Sequence, residues 1–219
     1  MKISFVIPAY NEERHIGKVL SELKKTGFPV VVIDDGSSDR TVEIAKKYRA
    51  IILRHRINLG KGAAMKTGAQ GAFDMGADAV IFMDSDGQHQ VEDLGNFVRA
   101  LKSGTSDVVF GSRNLSMGVP LDRYLGNKMA SVLVAQLFGI YVSDLICGFR
   151  AITKKAFGKL NWESSGYGVE TEMVILTRKR HLKYCEVPVA TLYYDKVKGV
   201  TILDAIGILF DVIRWKLTL

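Results

Sequence analysis

"AVIFMDSDGQHQ", residues 79–90, runs from an unbroken apolar stretch straight into two aspartates one residue apart. Ala79 to Met83 offer water no polar side chain, so the segment reads as a strand covered on both faces. Such strands belong to parallel sheets packed between helices; a half-exposed antiparallel hairpin would alternate. Asp84, Ser85, Asp86 and Gln88 follow at the strand's carboxyl end. The pattern admits two readings: a turn leading into a helix cap, or a divalent cation holding a diphosphate.

On either side of this stretch the same alternation of buried strand and helix repeats. Ile3 to Ile7 is a β-branched and aromatic run ended by Pro8. Glu12 to Lys25 carries apolar residues at helical spacing (Ile16, Val19, Leu20, Leu23), and Gly27 closes it. Val30 to Ile33 and Ala50 to Leu53 read as further strands, Thr41 to Tyr48 and Lys61 to Phe73 as helices, with Ser38 or Asp39 as N-cap of the former. Asp93 to Leu101 is a predicted helix and Val108 to Phe110 a predicted fifth strand. The expected fold class is α/β, a mainly parallel doubly wound sheet flanked by helices. The second half predicts a helix over Met129 to Val142, an amphipathic helix over Val169 to Arg180, and short strands at Tyr184 to Val189 and Thr191 to Tyr194. Thr201 to Leu219 closes the chain as an amphipathic helix, its narrow polar stripe made of Asp204, Gly207, Asp211 and Arg214. Residues 1–200 are therefore expected to form one domain and 201–219 a helical appendage.

The 219 residues suffice for one sizeable domain, and a formal charge of +7 suits an anionic partner. Nucleic acid is not expected, because the basic residues are dispersed and no aromatic–basic platform occurs. Cys147 and Cys185 are too few for a disulfide framework and fit a reducing compartment. The opening MKISFVIPAYNEE reads as a first strand rather than a signal peptide, and no stretch reaches the roughly 20 apolar residues of a spanning helix.

In doubly wound sheets, ligands sit beyond the carboxyl ends of the strands. Three polar clusters fall there: Tyr10-Asn11-Glu12, Asp34-Asp35-Gly36-Ser37, and Asp84-Ser85-Asp86. Two carboxylates supply the hard oxygens that Mg²⁺ takes together with substrate phosphates. A turn alone has no use for two more such clusters along the same edge. NLGKGAA, Asn58 to Ala64, lacks the first Gly and the Ser/Thr of a P-loop, but leaves Lys61 near phosphates or at an ordinary glycine-rich helix entrance.

IPAYNEE, VIDDGSSDRT, NLGKGAA, DSDGQ, FGSR and DLICGFRA, in this order, resemble the inverting nucleotide-sugar glycosyltransferases of family two, which have the GT-A fold. Within that family the motifs resemble the dolichyl- and polyprenyl-phosphate sugar transferases. The resemblance implies that Pro8, Tyr10 and Glu12 line the nucleotide and that Ile33 and Asp35 hold base and ribose. It implies that Asp84, Asp86 and Gln88 carry Mg²⁺ or Mn²⁺ and the diphosphate, with Ser85 beside them. Arg113 and Arg123 would approach phosphates. The chain departs from the family's usual Arg and Gly-x-Ser-Lys clamp, reading YYDKVKGVT instead; Lys196 and Lys198 are the candidates to replace it.

A hydroxyl acceptor needs a general base, whereas a phosphate monoester, with a second pKa near 6, is already anionic. Asp144 is ambiguous between helix cap and base; Glu170 and Glu172 read as a solvated helix face, and His89 as a surface loop histidine. The expected reaction is transfer of a hexose from a nucleotide sugar to dolichyl or polyprenyl phosphate, by an enzyme cytoplasmic and peripheral on the inner membrane face. A saccharide hydroxyl acceptor and a non-catalytic nucleotide-binding subunit are the alternatives. The C-terminal helix suits either a membrane surface or packing on the core or a partner subunit.

Overall fold

The computed structural model describes residues 1–113, 121–190 and 202–218, with side chains of 121–123 and 202–206 left aside. Seven strands form one sheet: β1 (Ile3–Ala9), β2 (Val30–Asp34), β3 (Ile51–Arg54), β4 (Ala79–Phe82), β5 (Val108–Arg113), β6 (Arg150–Thr153) and β7 (Tyr184–Val189). Their spatial order is β3-β2-β1-β4-β6-β5-β7. All neighbours are parallel except β6, which runs antiparallel to both β4 and β5.

Every residue of β1 is buried, because the sheet is covered on both sides. Val6, Val31, Ile33, Val80 and Phe82 point into one apolar layer; Phe5, Ile7, Val32 and Ile81 point into the other. The period of two thus sends successive side chains to opposite cores, and a run with no polar gap is the necessary sequence. The helices α1 (Ile16–Lys24), α2 (Thr41–Lys47) and α4 (Leu94–Lys102) cover one face; α3 (Lys61–Asp74), α5 (Leu121–Phe138), α6 (Lys154–Leu160), α7 (Val169–Lys179) and α8 (Ile202–Thr218) cover the other. Small residues in α3 let it lie close to the sheet: a Cβ on Gly68 would stand 2.1 Å from Ile33 Cδ1.

The expected α/β class holds, with differences of detail; α6 was not among the expected elements. The strand β6 was hidden because it has four residues and opens on a charge; Arg150 is fully buried and donates to the carbonyls of Leu145, Cys147 and Glu170. The helix α5 starts eight positions earlier than the apolar periodicity of Met129 to Val142 suggests and ends at Phe138, where Gly139 takes φ +71°. The strand expected at Thr191 to Tyr194 lies outside the described residues. The C-terminal helix α8 packs through Val212 and Trp215 into the layer shared with α5 and α7.

Candidate active site

The chain leaves β4 through buried Met83 and delivers Asp84 to the sheet's carboxyl edge. Lys61 Nζ lies 2.6 Å from Asp84 Oδ1, and His89 Nε2 lies 3.5 Å from Oδ2. The backbone at Gly148 closes the other side, where a Cβ would stand 2.2 Å from Oδ2 and 2.6 Å from Oδ1. Asp86 Oδ1 accepts a hydrogen bond from Gln88 N at 3.0 Å, and Gly87 takes φ +75°. A turn is therefore present, but only one oxygen of the pair is spent on it.

The two carboxyls are pushed apart in acidity. Burial raises Asp86, and the charge of Asp84 raises it further. Burial acts in the same direction on Asp84, but the Lys61 ammonium and then His89 outweigh it and hold Asp84 far below the usual range. His89 is 5 % exposed, with its ring 5.1 Å from that of Phe149, so it is a buried neighbour of the pair and not a surface residue.

Lys61 is the first residue of α3, after Gly60 at φ +95°. Its ammonium also lies 2.7 Å from Glu170 Oε1. Glu170 is 2 % exposed, and neither of its carboxylate oxygens has a hydrogen-bond donor aligned on it. Its contact with Lys61 is a buried ion pair. Glu172, equally buried, accepts from the backbone N–H groups of Glu163 (2.8 Å) and Ser164 (2.7 Å). Both glutamates face inward from the first turn of α7, correcting the expectation of a solvated face. Loop 163–166 in turn presses on the start of α3, where Gly62 N donates to Ser165 O at 2.6 Å.

The ends of β1 and β2 are laced together. Asn11, at φ +53°, donates its N–H to Ser37 Oγ and accepts from Ser38 N, both at 2.9 Å. Pro8 pairs with Ile33 in the strand register, Glu12 N donates to Thr41 Oγ1, and the Tyr10 side chain stands exposed at this edge. Asp35 receives His55 Nδ1 (2.7 Å), Leu59 N (2.9 Å) and Gly60 N (2.8 Å), which fixes the loop leading to Lys61. Asp34 is fully buried beside Arg54, whose Nε is 2.8 Å from Oδ2 but off the hydrogen-bond axis. Ser85 is buried between the two metal-motif aspartates.

Asp144 is fully buried and doubly held by Arg113, Nε to Oδ2 at 2.6 Å and Nη2 to Oδ1 at 2.9 Å, with Asn127 Nδ2 at 3.0 Å. Arg123 falls within α5, its side chain outside the described set; Lys196 and Lys198 lie outside the described residues.

The description "Glycosyl transferase family 2" matches residues 4–160. The chain belongs to this family. A UDP-N-acetylglucosamine–dolichyl-phosphate N-acetylglucosaminyltransferase of Methanococcus voltae is 30 % identical over 241 residues, covering 98 % of this chain and 96 % of that protein. An undecaprenyl-phosphate mannosyltransferase of Micrococcus luteus is 29 % identical over 235 residues, covering 99 % and 95 %. Glucosyl-3-phosphoglycerate synthase from Mycobacterium tuberculosis, crystallised with Mn²⁺ and UDP-glucose, superposes with a TM-score of 0.76 at 21 % identity, over 98 % of this chain and 78 % of that one. The last likeness establishes the GT-A-like fold; family and relatives make the chain a glycosyltransferase.

In this family 2 enzyme the acidic pair fits a divalent ion as part of a shell. Among the described residues no group of three or more His, Cys, Asp and Glu converges to enclose a metal. Two carboxylates that leave the remaining positions to water and diphosphate oxygens suit Mg²⁺ or Mn²⁺. Sequence reasoning missed Gly148 and Glu170. Gly148 stood inside a quoted motif, and its requirement came from a partner more than sixty residues away. Glu170 looked like any polar residue of an amphipathic helix.

Proposed function

We propose that this glycosyltransferase moves a hexose, with inversion, from a nucleotide sugar of the UDP-glucose or GDP-mannose type to dolichyl or polyprenyl phosphate. The observation that supports the phosphate acceptor best is Asp144. The carboxylate that could have served as a base is instead fully buried and occupied by Arg113 and Asn127. The names of the relatives point to the same acceptor class.

Tyr10 faces the nucleotide at the joined ends of β1 and β2, backed by the buried Pro8 and Ile33, with Glu12 and Asp35 fixing the loops around it. Asp84, Asp86 and Gln88 hold the ion and diphosphate, with Ser85 beside them and Lys61 reaching the same phosphates. A bound Mg²⁺ or Mn²⁺ would supply positive charge to the departing diphosphate. Arg113, Arg123, Lys196 and Lys198 position phosphate groups. A phosphate oxygen of the acceptor attacks the anomeric carbon while the bond to the diphosphate breaks, its electron pair leaving with the diphosphate. A second reading, transfer to a saccharide hydroxyl, would require Glu170 as base, but Glu170 is already the counter-ion of Lys61.

Residues 1–200 form the catalytic unit, and 201–219 rest on the cytoplasmic face of the membrane. Leu209, Phe210, Ile213 and Leu217 of α8 are exposed, Phe210 at 69 % and Leu217 at 83 %. Among the described residues no helix is long and apolar enough to cross a membrane. The test is transfer of radiolabelled sugar from UDP- and GDP-sugars, with Mn²⁺ or Mg²⁺, to undecaprenyl or dolichyl phosphate. Label is expected in the organic extract; label found solely in water-soluble saccharides would sink the lipid-phosphate reading.

A further inference from the structure

At the start of α3 the Lys61 ammonium stands between two carboxylates, 2.6 Å from Asp84 Oδ1 and 2.7 Å from Glu170 Oε1. Glu170 has no aligned donor on either oxygen, and Lys61 is the side chain within ion-pair distance of it among the described residues. Arg150, close by, is spent on backbone carbonyls, Glu170's own among them. A carboxylate this deeply buried stays charged only beside a cation. Asp84 is hemmed by the Gly148 backbone and by His89 Nε2, 3.5 Å from Oδ2, and the Lys61 ammonium lies 2.6 Å from Oδ1.

The backbone around Lys61 is anchored, and four rotatable bonds separate it from the ammonium paired with Asp84 and Glu170. Gly60 and Gly62 allow loop 163–166 to approach so closely that a Cβ on Gly62 would lie 2.0 Å from Ser164 O. Trp162 Nε1 donates to Gly62 O at 3.0 Å, and Glu172 holds the loop from behind. A lysine with its Cα clamped and four rotatable bonds beyond it carries a point charge that can be redirected without moving the backbone.

We propose that Lys61 is the resident counter-ion of the acidic corner, neutralising Asp84 in the donor-free enzyme and passing from Asp84 to the donor's diphosphate when donor and metal arrive together. Glu170 is the positioning residue that keeps the ammonium within reach of both places. This rests on the transferase reading above and adds to it a coupling: Asp84 is released to a divalent ion only when a diphosphate takes over Lys61. Binding of metal and nucleotide is then mutually dependent, each raising the affinity of the other by the same factor.

The test is Mn²⁺ binding followed by the loss of the free-ion electron paramagnetic resonance signal, with and without UDP or GDP. The wild-type protein is expected to retain Mn²⁺ only with nucleotide. Lys61→Met is expected to bind Mn²⁺ alone at least about tenfold more tightly than wild type and to lose most of the nucleotide's effect. Lys61→Gln serves the same measurement should the Met variant fail to fold, as judged by circular dichroism. If both enzymes hold Mn²⁺ with nucleotide but the variants gain nothing without it, the counter-ion role is wrong and the transferase reading stands. If wild type retains no Mn²⁺ even with UDP or GDP, the metal reading and the coupling fail together.

Discussion

Gly148 carries no side chain because the Asp84 carboxylate occupies the space where a Cβ would stand, 2.2 Å from Oδ2. Gly148→Ala must turn that carboxylate, and a displacement of about 1 Å in a reacting site costs on the order of 100-fold in rate. We expect that loss in turnover with a melting temperature close to wild type; an alanine variant of full activity would show that Asp84 does not hold the donor. Asp144→Asn tests the neighbouring assignment. It weakens a buried ion pair whose disruption costs about 3 kcal/mol or more in urea unfolding; because the amide oxygen of Asn can still accept from Arg113, turnover per folded molecule should fall less than about tenfold, whereas a general base would be worth about 100-fold or more. Cys147 gives a pH-resolved check. Burial, then the charge of Asp144, pushes its thiol up to about 12. It stays protonated in the native state while an unfolded thiol ionises near 9, so its contribution to stability is present below pH 9 and lost between about 9 and 12. Alkylation at pH 8 should modify Cys185 alone, and Cys147 only after unfolding. Asp84 and Asp86 were legible because residue type, spacing and strand end agreed. Glu170 and Gly148 were not, because what defines them is a neighbour distant in the chain.

Among the elements, β1, β2 and β4 could be read directly, since burial on both faces leaves an unbroken apolar run that nothing else in the chain imitates. The short strand β6 escaped because Arg150 satisfies its charge on carbonyls contributed by two other segments, a solution that no local pattern announces. The first turns of α5 escaped for a related reason: Asn127 and Ser131 face inward on hydrogen bonds, so the buried stripe is partly polar. Helix α8 shows both sides of its amphipathic character. Trp215→Ala should cost about 3 kcal/mol or more, as a large buried ring lost from the core. Phe210→Asp with Leu217→Asp, on the exposed side, should leave stability unchanged and weaken sedimentation with anionic phospholipid vesicles. Equal vesicle binding by that double variant would remove α8 from the membrane.

For the molecule as a whole, ligand binding should appear as stability. Saturating the native state with UDP or GDP plus Mn²⁺ at 100 times its dissociation constant adds about 2.7 kcal/mol. The nucleotide giving the larger rise in melting temperature identifies the donor class, and no rise with either would overturn the donor site. The sheet's strand order has a consequence for how the chain is made. A ribosome releases β4 and β5 long before Arg150, yet the two never touch; β6 must slide between them, pointing the other way. Until it does, a nascent chain exposes the raw β4 edge of a four-stranded parallel sheet, the kind of edge that recruits other chains. Order of manufacture and order of assembly thus diverge at one four-residue insert, and a translation arrest just short of residue 150 should yield the most aggregation-prone fragment.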